Sequence, residues 1–259
     1  MNRSGTARPC EAIVLSAGQG KRLLPLTADR PKCSLEVGGQ WVINWQIDAL
    51  LAAGIERVRP VLGYGADRVE PALAGRYGRE RVQPLFNPFF SVADNLASCW
   101  MARDAMQGDF LLLNGDTLFE AGVLERLLDA PPAPVTLAVD HKPSYDDDDM
   151  KVQLDGRRLV RVGKTLPATA VDAESIGMML FRGQGPALFR NALEEAMRAP
   201  SGLRRWYLSV IDALADDDVV QVCSIDGLRW AELDFPADLD DVEAVVAAGA
   251  SARALAQGC

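Results

Sequence analysis

Several classes of protein are excluded by what this sequence lacks. Its 259 residues include one histidine, His141, and five cysteines without a Cys-x-x-Cys pair. A zinc site of histidine and cysteine ligands is therefore not expected, and unpaired thiols favour a cytoplasmic protein. No apolar run approaches the roughly twenty residues of a membrane helix, and residues 1–10 are too polar for a secretory signal. We expect no membrane insertion and treat His141 as structural.

The sequence is also short of positive charge. Lys and Arg number 27 against 36 Asp and Glu, and the resulting net charge of −9 argues against a nucleic-acid partner. Against this acidic background, four cations lie within twelve residues: Lys21, Arg22, Arg30 and Lys32. Because such a cluster creates a local positive field, we expect it to hold a polyphosphate.

A glycine-rich turn precedes these cations and follows the apolar stretch 12–15. Backbone N–H groups exposed by Gly18 and Gly20 can surround phosphate oxygens. The turn is not a Walker A loop, because Leu15 stands at the first glycine position and Arg22 at the Ser/Thr position. It is not a good dinucleotide motif either, since Leu23 replaces the third glycine. This last departure disfavours an NAD-dependent oxidoreductase.

The longer motif carries a family resemblance through Arg22, Pro25, Thr27, Pro31 and Lys32. It resembles the signature of nucleotidyltransferases that couple an NTP to a phosphorylated acceptor and release pyrophosphate, a superfamily with a Rossmann-like, GT-A-type fold. Within it, the chain is most similar to the cytidylyltransferases for phosphocholine, phosphonates and inositol phosphate. The similarity is dense over 11–120, weakens over 130–220 and returns at 230–239.

The alternation of apolar and amphipathic segments predicts an α/β fold with three α/β/α layers around a mixed, mostly parallel sheet. The predicted strands are 11–16, 57–63, 82–86, 109–114, 134–140, a hairpin over 151–162, 175–181, 219–225 and 228–233. The predicted helices are 41–53, 66–76, 93–106, 120–129, 184–198, 205–215 and 236–256. We expect one domain over 1–259, with a nucleotide-binding core at 10–140 and 219–256 and a smaller acceptor-binding lobe at 141–218.

The resemblance implies how the first motif acts on the nucleotide. Arg22 would grip the β- and γ-phosphates, and Lys32 would lie near the α-phosphate or the acceptor phosphate. Further nucleotide contacts are expected from Leu15, Ser16, Ala17, Gly18, Gly20, Lys21 and Gly115. Asn87, Asn95 and Ser98 lie in a loop that enters a helix, and their amide and hydroxyl groups could read the cytosine base. The alternative for this loop is plain helix capping by Asp94.

A pair of aspartates is the candidate Mg²⁺ site. Asp116 follows the continuously apolar segment 109–114, at the sheet edge where open α/β sheets bind ligands. Capping of the next helix is the alternative for this residue. By spacing alone, Glu232 or Asp234 could supply the second carboxylate. The resemblance selects Asp234.

The acceptor site is predicted in the second half of the chain. Asp146 and Asp149 belong to an acidic run that is either a solvated loop or a site for an ammonium group, with Lys151 as a catalytic cation near a phosphate. That pairing would suit a zwitterionic acceptor such as an aminoalkyl phosphonate. Tyr145, Trp206 and Trp230 offer a competing aromatic cage for a quaternary ammonium, or plain packing.

The sequence therefore predicts a Mg²⁺-dependent cytidylyltransferase that joins CTP to a small phosphorylated or phosphonylated acceptor and releases pyrophosphate. One alternative is a sugar-1-phosphate nucleotidylyltransferase that uses UTP, dTTP or GTP. Another is a non-catalytic nucleotide-binding regulator, which would be expected to have lost Arg22 or the metal carboxylates. A homodimer is left open.

Overall fold

The structure is a computed structural model that describes residues 8–257. The strands are β1 (Glu11–Ser16), β2 (Glu36–Val37), β3 (Gln40–Trp41), β4 (Arg57–Leu62), β5 (Leu85–Phe86), β6 (Phe110–Asn114), β7 (Thr117–Phe119), β8 (Val135–Asp140), β9 (Lys151–Asp155), β10 (Arg158–Val162), β11 (Ala173–Phe181), β12 (Val220–Ser224) and β13 (Trp230–Glu232). The α-helices are α1 (Val42–Ala52), α2 (Ala66–Tyr77), α3 (Asn95–Met101), α4 (Ala121–Leu128), α5 (Gly185–Arg198), α6 (Leu208–Ala215) and α7 (Leu239–Gln257). No helix in this described part is long and apolar enough to cross a membrane.

Nine of these strands form one mixed sheet in the order β5-β4-β1-β6-β11-β8-β12-β10-β9. The first four are parallel to one another, and β8 is parallel to β12. Strands β11 and β10 run against their neighbours. Every residue of β11 is buried, as expected for a strand in the middle of a sheet covered on both faces.

Helices cover both faces of this sheet, which confirms the predicted three-layer α/β architecture. One face packs against α3, α5 and α6, and the other packs against α1, α2 and α4. Successive residues of β6 alternate between the two cores, because neighbouring side chains of a strand point to opposite faces. A third, smaller core joins α7 to the two-stranded sheets β2-β3 and β7-β13.

Some predicted boundaries were wrong for local reasons. The strand predicted at 82–86 is reduced to β5, because Pro84 has no N–H to donate to a neighbouring strand. The helix predicted at 93–106 ends as α3 at Met101, and a separate 3₁₀ turn follows at Arg103–Ala105. The closing helix begins at Leu239 after another 3₁₀ turn at Pro236–Asp238.

The segment 141–218, predicted as an acceptor-binding lobe, does not form a layer of its own. Its strand β11 lies between β6 and β8, and its strands β10 and β9 extend the same sheet beyond β12. The hairpin predicted over 151–162 is present, with Gly156 at φ +61° in the turn. An acceptor-binding role for this segment remains a prediction.

Candidate active site

The two aspartates predicted to bind metal are brought together by a short antiparallel strand pair. Strand β13 pairs with β7 so that Glu232 lies opposite Thr117. The N–H of Leu233 donates to the carbonyl of Asp116 at 3.1 Å. This hydrogen bond joins the backbone next to Asp234 directly to that of Asp116. Asp116 is separated from Asp234 by more than one hundred residues of sequence, but the two lie side by side at the carboxyl edge of β6.

Lys32 lies between these two carboxylates. Its Nζ donates to Asp116 Oδ2 at 2.7 Å and to Asp234 Oδ1 at 2.6 Å, so the two oxygens are at most 5.3 Å apart, the sum of the two distances. Burial alone would lower the pKa of Lys32, but the charges of Asp116 and Asp234 outweigh burial and raise it. The ammonium therefore stays charged and balances two acids that would otherwise repel each other.

The glycine turn places Lys32 there. The Lys32 N–H donates to the carbonyl of Gln19 at 3.1 Å, and a Cβ on Gly20 would lie 2.8 Å from the Lys32 Cβ. Gly20 also has φ +80°, a conformation that favours glycine. Thr27 Oγ1 closes the loop by donating to the Gly20 carbonyl at 2.8 Å. The conformation of the turn is thus set by its packing against the aliphatic part of Lys32, in addition to any phosphate that the turn is predicted to bind.

Arg22 extends the ion pairs outward from the aspartates. Its guanidinium contacts Asp234 Oδ2 at 2.7 Å and also pairs with Asp148, which in turn accepts from Lys164. The Arg22 guanidinium carbon lies 4.8 Å from the centre of the Phe235 ring, a cation–π contact. Acids and bases therefore alternate from Asp116 to Lys164, and the motif at 15–32 is linked to the loop at 141–150.

The remaining residues of the glycine turn border the same edge. Gly18 is exposed, and a Cβ there would meet nothing within 4 Å. By contrast, a Cβ on Gly115 would lie 2.3 Å from Ser16 Oγ and 2.5 Å from the Leu15 carbonyl, so this glycine permits close contact between β1 and β6. Ala17 is held by the N–H of Tyr64, which donates to its carbonyl at 3.0 Å. Lys21 is exposed and has no ion-pair partner in the described part of the chain.

The residues present fit a magnesium ion that is shared with a triphosphate. Asp116 Oδ1 is buried and has no hydrogen-bond partner in the structure, so it is available to a cation. No cluster of three or more histidine, cysteine or acidic side chains suited to a metal occurs among the described residues. Mg²⁺ is typically held by one or two carboxylates together with substrate phosphates and water. Asp116 and Asp234 supply that number of carboxylates, and the metal itself remains a prediction.

Glu232, the alternative metal ligand, is half-buried on β13. Burial raises its pKa to about 8, and the neighbouring charges of Asp116 and Asp234 act in the same direction. A carboxyl with this pKa is mostly protonated at neutral pH, which disfavours it as the second ligand relative to Asp234.

A cavity of about 650 Å³ opens beside the aspartates. Nine acidic and four basic side chains border it, so its field favours cations. The acids are Asp116, Asp140, Asp148, Asp149, Glu174, Glu232, Asp234, Asp238 and Asp241, and the bases are Arg22, Lys142, Lys164 and Arg229.

The predicted acceptor residues divide into two groups. Asp149, Trp206 and Trp230 border the cavity. Asp146 does not, because its Oδ1 accepts the N–H groups of Asp148 and Asp149 and thereby shapes the loop. Tyr145 is also held by the backbone, since its hydroxyl donates to the Asp172 carbonyl at 3.1 Å.

Lys151 lies outside the cavity lining. It is buried, and its Nζ donates to the backbone carbonyl of Lys164 at 3.0 Å. The lysines that border the cavity are Lys142 and Lys164, and the Lys164 ammonium lies 4.8 Å from the centre of the Trp206 ring. A catalytic role for Lys151 stays a prediction, and Lys164 is a second candidate for it because it borders the cavity.

The predicted base-reading residues also separate. Asn87 is buried and donates to Ser98 Oγ at 3.0 Å, while its own oxygen accepts from the Phe89 N–H. Asn95 borders the cavity, and its Oδ1 accepts the Tyr207 N–H at 2.9 Å. Of the three, Asn95 is the residue that borders the cavity, and its amide nitrogen faces no protein acceptor among the described residues. Base contact by any of them remains a prediction.

Three residues of the cavity wall were not predicted from the sequence: Lys142, Lys164 and Glu174. The rarity of lysine could have indicated two of them, because only five of the 27 basic residues are lysines. Three of the five, Lys32, Lys142 and Lys164, have their ammonium groups at this site. Glu174 gives no such signal, since it lies within the apolar run of β11. His141 has a partner that the sequence did not suggest, Asp226, at 2.7 Å on the surface.

Comparisons with known proteins identify the family of the chain. The family model of the MobA-like NTP transferase domain matches residues 12–214. The chain is 31% identical over 241 residues to the CMP-5'-(3-aminopropyl)phosphonate synthase of Streptomyces rubellomurinus, with 90% of this chain and 38% of that protein covered. It is 26% identical over 253 residues to the CTP:phosphoglutamine cytidylyltransferase of Campylobacter jejuni, with 88% and 97% covered.

Two solved structures share the fold. The inositol-1-phosphate CTP transferase from T. maritima matches with a TM-score of 0.77 at 21% identity, covering 92% of this chain and 97% of that one. The CTP:phosphocholine cytidylyltransferase from Streptococcus pneumoniae has the same TM-score at 20% identity, covering 93% and 100%. At these identities the likeness establishes the α/β fold and leaves the substrates open.

Proposed function

The chain belongs to the MobA-like NTP transferase domain family and is a nucleotidyltransferase, and on that premise we propose that it is a Mg²⁺-dependent cytidylyltransferase. It would join CTP to a small phosphorylated or phosphonylated acceptor that carries an ammonium group, and release pyrophosphate. The observation that carries this proposal is the contact of Lys32 with Asp116 and Asp234, with Arg22 on the far oxygen of Asp234.

The chemistry that these residues support is attack of an acceptor oxygen on the α-phosphorus of CTP. Nucleophile, electrophile and leaving group are all anionic, so positioning and charge neutralisation would carry most of the catalysis. Asp116 and Asp234 would hold Mg²⁺, which would supply charge neutralisation and a template for the phosphates when bound. Arg22 would grip the departing pyrophosphate through its planar fork, and Lys32 would neutralise the α-phosphate as a point charge.

Both oxygens of Asp234 have cationic partners, so Lys32 or Arg22 would need to release one of them for Mg²⁺ to bind there. Each carboxylate offers two oxygens, and Asp116 Oδ1 has no partner, so the lysine and a cation can both be accommodated at Asp116. No covalent enzyme intermediate is required, because the acceptor phosphate is already a competent nucleophile.

The acidic cavity supports the choice of acceptor. Its excess of carboxylates would oppose a purely anionic acceptor and attract one with a positive tail. Three relatives are named for acceptors of related chemistry: aminopropylphosphonate, phosphoglutamine and 2-aminoethylphosphonate, the last in a Lancefieldella rimae cytidylyltransferase that is 24% identical. A neutral sugar tail would gain nothing from this field, which disfavours the sugar-1-phosphate alternative.

A pyrophosphate-release screen would test the proposal. CTP, UTP, GTP and dTTP would each be offered with phosphocholine, phosphoethanolamine, 2-aminoethylphosphonate, inositol-1-phosphate and glucose-1-phosphate, with Mg²⁺ or with EDTA. We expect release with CTP and the amine-bearing acceptors, and none in EDTA. Faster turnover of glucose-1-phosphate with UTP or dTTP would support the sugar alternative. Tight NTP binding without any turnover would support the regulator.

A further inference from the structure

The wall of the cavity contains an ammonium group that belongs to the protein. Lys142 Nζ lies 2.7 Å from Glu174 Oε1 and 3.1 Å from Asp149 Oδ1. The same nitrogen lies 5.8 Å from the centre of the Trp230 ring. Two carboxylates and an indole face are the groups that bind organic ammonium ions, so we call Glu174, Asp149 and Trp230 the ammonium cage. In this structure its occupant is Lys142.

The cage is built from fixed parts. Glu174 lies on the central strand β11 with its side chain only 3% exposed. The Trp230 indole N–H donates to Asp140 Oδ2 at 2.8 Å, which sets the plane of the ring. Asp149 Oδ2 accepts the Asp146 N–H at 2.9 Å. Trp230 and Asp149 each have a hydrogen-bond partner besides Lys142, and the Glu174 backbone is fixed in β11, so we expect the walls of the cage to remain if the lysine is shortened.

The loop also holds Lys142 itself. Its backbone N–H donates to the Tyr145 hydroxyl at 3.2 Å, and that hydroxyl donates to the Asp172 carbonyl. Burial alone would lower the pKa of Lys142, but Glu174 and Asp149 outweigh burial and raise it. Lys142 therefore enters the cage as a permanent cation from a fixed point on the chain.

We propose that Lys142 determines acceptor specificity by filling the ammonium cage, so that primary amines are accepted and quaternary ammonium groups are excluded. A primary ammonium has three N–H donors. It can share with Lys142 the carboxylates of the cage and that of Asp140, two residues before Lys142, since each carboxylate accepts several hydrogen bonds. A trimethylammonium group has no N–H and must be enclosed by the aromatic and anionic walls, which is the space that Lys142 fills. The substrates named in this inference are those of the proposed function, on which it therefore rests.

Phosphoethanolamine and phosphocholine form a matched test pair, because they differ only in the three N-methyl groups. We expect the wild-type kcat/KM with CTP to favour phosphoethanolamine. In Lys142→Met that preference falls by at least about tenfold, mainly through a lower KM for phosphocholine, as expected for access to a cation–π site. Lys142→Arg, which keeps a cation in the cage, retains the wild-type preference. Arg198→Met removes one positive charge on the exposed surface of α5 and controls for net charge.

A binding measurement tests the same point without turnover. Choline chloride is titrated into the wild type, Lys142→Met and Lys142→Gln, and followed by ligand-observed NMR, with native circular dichroism required of each variant. Both neutral variants are expected to bind choline at least about tenfold more tightly than the wild type does. Equal choline binding by all three proteins overturns the role of Lys142. If the screen finds no turnover at all, the proposed function fails, and the choline titration still decides this inference.

Discussion

At the scale of single residues, Asp116 carries two roles that a substitution can separate. Its Oδ2 balances Lys32 at 2.7 Å, while its buried Oδ1 has no protein partner. An amide at this position keeps the shape and one oxygen, so Lys32 would still be held between two side chains. What an amide removes is the negative charge that a metal ion needs.

We therefore predict that Asp116→Asn lowers turnover by about two orders of magnitude or more, the usual cost of losing one charge-stabilising group in an active site. Pyrophosphate release at saturating CTP and acceptor measures the effect, and thermal unfolding verifies the fold. Asp217→Asn, an exposed acid beyond α6, is the matched control and should behave as wild type. Near-normal turnover in a folded Asp116→Asn would remove the metal assignment.

Lys164 and Lys151 provide a second comparison at this scale. Lys164 borders the cavity and pairs with Asp148. The Lys151 ammonium instead donates a hydrogen bond to the backbone carbonyl of Lys164. We expect Lys164→Met to lower kcat/KM for the acceptor about tenfold or more, as for loss of one charged hydrogen bond of about 1.5–3 kcal/mol. Lys151→Met should instead lower the free energy of unfolding by about 1 kcal/mol, because it removes a partly buried hydrogen bond.

Steady-state kinetics and urea unfolding of both variants separate these outcomes. A stable Lys151→Met with strongly reduced turnover would restore the catalytic role that the sequence suggested for Lys151. Such a result would mean that its side chain leaves the Lys164 carbonyl when substrates bind.

At the scale of elements, the two glycines beside β1 serve different purposes. Gly115 follows β6 where a Cβ would meet Ser16 Oγ at 2.3 Å and the Leu15 carbonyl at 2.5 Å. Since backbone cannot move aside cheaply, Gly115→Ala should destabilise the fold by about 1–3 kcal/mol or more. Gly18→Ala places its methyl in open space, so unfolding should be unchanged while the KM for CTP rises.

Denaturant unfolding and CTP-dependent kinetics of the two variants measure this contrast. If Gly18→Ala binds CTP as well as the wild type does, the triphosphate does not pass against the glycine turn. The nucleotide-binding assignment of that turn would then have to be withdrawn.

The elements also show which parts of the site could be predicted. Periodicity identified β1, β6 and α2 closely, because long buried segments have strong patterns. Strands β2, β3 and β7 are two or three residues long and carry no periodic signal. Yet β7 is the strand that receives β13 and sets Asp234 beside Asp116, so the pairing of the aspartates came from resemblance and not from pattern.

Side-chain direction explains why the lysines around the predicted acceptor site could not be distinguished from sequence. Lys151, Lys142 and Lys164 are all near the same loop in sequence, and the ammonium group of each can reach several ångströms in any direction. Only the pairing of β9 with β10 and β11 decides that Lys151 is buried. The sequence could therefore locate the region but could not show which lysines border the cavity.

At the scale of the whole molecule, the sheet collects acids from distant segments around one cavity, and their repulsion has a cost. Glu174 is the clearest case, because burial raises its pKa from 4.5 to about 7, against the opposing effect of Lys142. A raised pKa means that the folded state binds more protons than the unfolded state between these two values. Its contribution to the free energy of unfolding therefore decreases as the pH rises through that window.

We predict that the free energy of unfolding of the wild type, minus that of Glu174→Gln, decreases between about pH 4.5 and pH 7 and is flat outside this range, with a total change of no more than about 3 kcal/mol. Urea unfolding of both proteins at intervals from pH 4 to pH 8 gives the difference directly. The nearby Glu232, whose burial raises its pKa to about 8, is present in both proteins and largely cancels. A difference that is constant or increases with pH would mean that Glu174 is already ionised at pH 5, and that Lys142 and the cavity solvate its carboxylate as well as water does.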